Sequence, residues 1–180
     1  MPSHSWYYLH PDDDEDSAVG PLALSDLVKM IRDAELPEDV LVSTDQEVWN
    51  RADAVEDILN ALPLDRERIF REYIAYGEAP LGQENWGWAS ARMLSILNGA
   101  PEIAWQLIVE LIERAPSESS LSFFAAGPLE DLLSDHGDHF IERVELRAAQ
   151  NAKFRHAVRS LRRLDMTDDV WRRVKLIAGG

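Results

Sequence analysis

The residues whose types and spacing could do chemistry lie between Glu130 and Glu142. His136, His139 and Glu142 fall at i, i+3 and i+6. On a continuous helix that spacing turns three potential metal ligands roughly to one side. With Glu130, Asp131 and Asp135 close by, the chemistry this cluster could support is metal-dependent hydrolysis. Against it, Gly137 stands between the two histidines, where it is expected to end a helix, and no HExxH run occurs. His136 near a helix end has a simpler use, bonding a terminal carbonyl or complementing the dipole. Glu130 and Asp131 follow Pro128, in a first helical turn that favours acids, and are also a candidate polar contact site beside apolar surface.

Other candidates are weaker as chemistry. Trp86 and Trp88 flank Gly87 and could form an aromatic pair for a ligand, or close a core at a helix start. The run His10 to Asp16 is acidic, but its carboxylates are consecutive, without the interleaving and turn glycine of a calcium loop. There is no nucleophile elbow, P-loop or Gly-rich dinucleotide turn. The expectation is a chain with no catalytic residues, cofactor or resident metal.

Elements must position these residues. Gly127 is expected to take a left-handed conformation after a helix ending at Ala126, with Pro128 opening the next. Leu129, Leu132 and Leu133 give that helix one apolar side. Gly137 then ends it, and Asp138 caps another carrying Phe140, Ile141 and Val144. Upstream, Ile69 to Tyr76, Trp88 to Leu97 and Ile103 to Ile112 read as three helices, the third apolar over more than half its circumference and therefore central. Asn151 and Thr167 can cap two last helices. From 63 to 180 the expectation is an all-α bundle or HEAT-like stacked helical pairs.

Residues 1–62 read differently. Ser5 to Leu9 and Val40 to Val42 are strands, Val48-Trp49 is a candidate third, and Gly20-Pro21 is punctuation. Leu24, Leu27, Val28 and Ile31, then Val55, Ile58, Leu59 and Leu62, mark two amphipathic helices. The fold class is thus α+β, a small α/β module followed by helices, with the boundary near Pro63.

Two resemblances follow. Trp6-x-Tyr8, Gly20-Pro21-Leu22, Leu27, Val40-Leu41-Val42 and Trp49 together resemble the GYF-type fold, specifically its bacterial GYF-like variant. That resemblance implies a surface for proline-rich peptides at Trp6, Tyr8, Leu22 and Met30. However, Leu22 and Met30 replace aromatics, and Ala34-Glu35-Leu36 stands in place of Gly-Tyr-Phe. The alternative is that Trp6 and Tyr8 pack in a core. In the second half, Pro101-Glu102-x-Ala104-Trp105 and Ala126 to Gly137 resemble an uncharacterised bacterial helical domain of unknown function. It implies a fold but no activity.

Charge narrows the function classes. The net charge is −15, and residues 1–64 hold 15 acidic and 3 basic side chains. Such a surface repels nucleic acid and anionic membranes. From Arg143 to Lys175 stand 10 basic and 4 acidic residues, either a solvated face or a strip that meets an acidic surface. The chain has no cysteine, no apolar stretch long enough to span a bilayer, and no basic start with an apolar run. The expectation is a bacterial, cytoplasmic, non-catalytic interaction protein whose partner is a basic or proline-rich protein, acting as an acidic inhibitor or immunity-type protein. The rival is the metal-dependent hydrolase using His136, His139 and Glu142.

Overall fold

The computed structural model describes residues 5–9, 18–79 and 87–179. The chain divides into two compact units, Met1–Leu64 and Asp65–Gly180. The first is a four-stranded antiparallel sheet with two helices; the second is helical.

In the first unit β1 (Trp6–Leu9) is central and alternates, with Trp6 and Tyr8 buried and Tyr7 and Leu9 half-buried. That is the period of two expected of a strand covered on one face. β2 (Ala18–Leu22) lies at the sheet edge, β3 (Leu41–Ser43) on the other side of β1, and β4 (Asn50–Arg51) beyond it. Helix α1 (Leu24–Arg32) buries Leu27, Val28 and Ile31, which with Ile58 of α2 (Glu56–Ala61) join Trp6, Tyr8 and Val42 in one core; α2 also buries Leu59.

Two strand expectations are corrected. Gly20 and Pro21 are not a turn but the middle of β2, joined by a cis peptide. An edge strand tolerates a proline because its missing N–H need not face a partner. Gly20 has φ +152°, and a Cβ there would stand 2.6 Å from Tyr7 Cδ1 and 2.7 Å from the Trp6 carbonyl oxygen, so only glycine fits. The strand expected at Val48-Trp49 is instead β4, Asn50–Arg51. Side chains occupy the intervening backbone: Asp45 accepts from the Glu47 and Val48 N–H groups at 2.8 and 3.0 Å, and Ser43 Oγ accepts from Gln46 N–H at 2.9 Å. These bonds, Val48 foremost, hold the Asp45 carboxyl below the usual carboxylate range.

α1 ends in a Schellman turn in which Glu35 N–H reaches the Met30 carbonyl and Ala34 N–H the Ile31 carbonyl. Ala34 has φ +59°, a conformation that disfavours any residue with a Cβ. Ala34→Gly is therefore expected to stabilise the first unit by about 1 kcal/mol, read as a higher urea midpoint of Trp6 fluorescence. An unchanged or lowered midpoint contradicts this geometry.

In the second unit α3 (Arg66–Gly77), α4 (Trp88–Gly99), α5 (Pro101–Arg114), α6 (Glu118–Phe124), α7 (Glu130–Gln150), α8 (Ala152–Val158) and α9 (Asp168–Gly179) pack in a bundle. α5 is central, touching α3, α4, α6, α7 and α8, with Ala104, Leu107, Ile108, Leu111 and Ile112 all buried. Pro101 opens it, and Asn151 Oδ1 and Thr167 Oγ1 accept from the N–H groups of Phe154 and Val170 at 3.0 and 3.3 Å.

At the corner between α6 and α7 the helix breaks at Gly127 as expected, with Pro128 directly after the break, but Gly127 is not left-handed (φ −115°, ψ −105°) and the two helices meet across a kink. The second break falls close to where it is expected, one residue before Gly137: α7 is two helical stretches that meet across a kink at His136 (φ −131°, ψ 20°), while Asp138, expected as the cap, instead accepts from the Thr167 hydroxyl at 3.3 Å. Gly137 is there because α9 crosses at that point: a Cβ would lie 3.0 Å from both methyls of Val170.

Candidate functional site

The histidine cluster does not assemble. The His136 ring turns to the end of α4 and gives its Nε2–H to the Leu97 carbonyl at 3.2 Å, one of the carbonyls a helix end leaves unpaired. His139 Nε2 meets Glu102 Oε1 at 2.9 Å, and Arg143 Nη1 takes Glu102 Oε2 at 2.6 Å. Arg143, then His139, holds the Glu102 carboxyl below its ordinary range. The kink at His136 breaks the i, i+3, i+6 geometry, Glu142 is exposed, and among the described residues no three His, Asp or Glu stand close enough to hold a metal ion. A hydrolytic centre built on His136, His139 and Glu142 is thereby overturned.

The aromatic platform expected on the first unit is also not presented. Trp6 and Tyr8 are each 6% exposed, because the alternation of β1 aims both rings into the face covered by α1 and α2. Leu22 and Met30 are half-buried against the same core. Trp86 lies outside the described residues, whereas Trp88 is buried, with the Arg68 guanidinium 4.0 Å from its ring centroid. Its aromatic surface is spent on packing and cation–π contact.

The basic strip is likewise engaged within its own unit. Arg143 pairs with Glu102, Arg147 with Glu113, Arg163 with Asp168, and Arg173 with Glu145. Lys153 Nζ donates to the Glu113 and Ala115 carbonyls at 2.8 and 2.7 Å, closing the end of α5.

The adjacent acids Glu130 and Asp131 face opposite fates. Glu130 is fully buried (0% exposed); its carboxylate accepts the Arg162 backbone N–H at 2.5 Å and the Arg162 guanidinium at 3.1 Å. It fastens the loop between α8 and α9 to the α6–α7 corner. Asp131, one residue on, turns into a cleft of about 580 Å³ bounded by α3, α4 and that corner. Met93, Leu94, Leu97, Phe123, Ala126 and Pro128 supply apolar lining; Tyr73, Ser90, Asp131 and Arg162 supply the polar groups. Burial, then the neighbouring Glu130 and Asp135, pushes the Asp131 carboxyl above its ordinary value. Burial also pushes the Tyr73 phenol up, so it stays neutral, hydrogen-bonded to Ser90.

Among the described residues that line the cleft no histidine stands beside Ser90, Tyr73 holds its proton, and Arg162 is paired with Glu130. The sequence pointed to Asp131 but missed the opposite wall. Leu94 is 53% exposed, and Ala91 beside it is half-buried. The available signal was a second apolar stripe on α4: Ala89, Met93, Ile96 and Leu97 already complete the core face, leaving Ala91 and Leu94 to another.

Among the described residues no helix is long and apolar enough to cross a membrane. No curated protein and no solved structure matches the chain. Residues 77–179, the bulk of the helical unit including every wall of the cleft beyond Tyr73, match the model of a family of unknown function, DUF6869, and the chain belongs to that family.

Proposed function

We propose that the protein is a non-catalytic, cytoplasmic protein-binding module whose helical unit engages its partner at the α3–α4–corner cleft. The observation that carries this reading is the cleft itself: an apolar lining, a half-exposed Leu94 on one wall, and the unreactive company kept by its polar groups. Concave apolar surface with a few convergent polar groups is what binding sites are made of. The net charge of −15 supports a basic partner, in the manner of an acidic inhibitor or immunity-type protein, because opposite charge speeds encounter and makes it salt-sensitive. The first unit, on this reading, is a GYF-like module. The left-handed Ala34, at the position matched to the motif glycine, supports that, while the burial of Trp6 and Tyr8 argues against a proline-binding face.

The test is capture at low salt with the full chain and with Ala91→Trp, which fills the cleft from a half-buried position. A basic protein retained by the unaltered chain and released by raised salt is expected to bind the variant at least about tenfold more weakly. The variant's melting temperature should stay within a few degrees of the unaltered chain's. Equal retention by both would remove the cleft from the interface.

A further inference from the structure

Two charged side chains line the cleft, Asp131 and Arg162. Asp131 is half-buried, and no hydrogen-bond donor or cation pairs with it among the described residues. Arg162, a cation at the same rim, is already committed to Glu130 through its backbone and its guanidinium. Tyr73 is neutral and satisfied by Ser90. Glu130 and Asp135, from the same helix, add to the negative potential at Asp131. A carboxylate held in this way is destabilised by burial and by like charge, and a cation brought to it relieves both. The surrounding wall is apolar, formed by Met93, Leu94, Leu97, Phe123 and Pro128. A side chain that lays an aliphatic stem on apolar surface and ends in a positive charge matches both features.

We propose that the cleft receives a lysine side chain of the partner protein, flanked by apolar residues, with its ammonium seated against Asp131 and its stem along Leu94 and Leu97. This rests on the reading of the cleft as the protein-binding site and adds to it the identity of the anchoring residue. It also gives the charge of the protein a local meaning. The −15 surface attracts basic partners in general, whereas Asp131 selects one side chain at one place.

The experiment is a titration of the isotope-labelled full chain, followed by amide chemical shifts, with three blocked tripeptides. The probes are acetyl-Leu-Lys-Leu-amide, its norleucine analogue, which keeps the stem without the charge, and its glutamate analogue. The lysine peptide is expected to shift the amides of Ser90, Leu94, Leu97, Ala126 and Asp131 saturably. The norleucine peptide should bind the same place roughly tenfold more weakly, and the glutamate peptide not measurably. In Asp131→Asn the lysine peptide should fall to the norleucine level, while Asp131→Glu keeps the preference. The spectra of the free variants report whether each is folded. Equal affinity for the lysine and norleucine peptides would overturn the lysine anchor and leave the protein-binding reading standing. Preference for the glutamate peptide would overturn the anchor and assign the cleft's polarity to Arg162. Absence of cleft shifts with every peptide would overturn the anchor together with the cleft as a binding site.

Discussion

Glu130→Ala is expected to lower the melting temperature of the helical unit by roughly 10 °C, corresponding to about 3 kcal/mol, measured by far-UV circular dichroism. The carboxylate is fully buried and is the acceptor for both the Arg162 backbone N–H and its guanidinium. Charge-assisted bonds of this kind each contribute more than neutral ones, and their removal also leaves a void and an unpaired N–H. Asp131→Asn, one residue away, is expected to move stability the other way. Burial, Glu130 and Asp135 raise the folded-state value of Asp131, and Tyr73 and Arg162 are the titratable groups facing it from outside α7. A raised carboxyl favours the folded state when protonated, so its contribution is full below the ordinary aspartate range, about 3.9, and is lost as pH rises through the higher folded value. The asparagine variant should therefore melt above the unaltered chain at pH 7, with the difference vanishing as the solution is acidified below about pH 4. A difference independent of pH would mean that the charge of Asp131 is not what costs stability. A residue whose removal stabilises the fold is the pattern expected where a side chain is kept for binding.

The second large effect concerns Gly137. Gly137→Leu is expected to destabilise the helical unit by about 3 kcal/mol, because even a Cβ would approach both Val170 methyls to 3.0 Å and Val170 is fully buried. The loss should appear first as detachment of α9, seen in the fluorescence of the half-buried Trp171. Gly137→Ala combined with Val170→Ala separates crowding from helix propensity. The added methyl occupies space the truncation vacates, so the double variant should be more stable than the sum of the two single effects by about 1 kcal/mol. Simple additivity would show that the helices do not meet there.

What the sequence could and could not convey follows from these residues. Helix positions and most starts were legible, because Asn151 and Thr167 accept from N–H groups within their own turn and Pro101 has no N–H to leave unpaired. The roles of Gly137 and Gly20 were not. A glycine that ends an element and one that lets another pass close by look the same along the chain, and only Val170 and Tyr7, distant or across a strand, decide between them. Glu130 and Asp131 were singled out as one pair on dipole grounds, yet their difference depends on Arg162, 32 residues away in sequence. The histidines were spaced for a straight helix, and the bend at His136 that sends them to Leu97 and Glu102 has no local signature beyond the neighbouring glycine. The cleft was hidden for a related reason: its walls come from α3, α4 and the α6–α7 corner, and Leu94 counts as core until the rest of α4 is placed.

That the protein works by seating a partner in this cleft is tested most directly by hydrogen–deuterium exchange of the full chain, alone and with the basic protein it retains at low salt. Slowed exchange concentrated in residues 88–99 and 125–131 is the predicted result. Protection confined to the sheet of the first unit, or to the strip from Arg143 to Lys175, with the cleft segments unchanged, would contradict it.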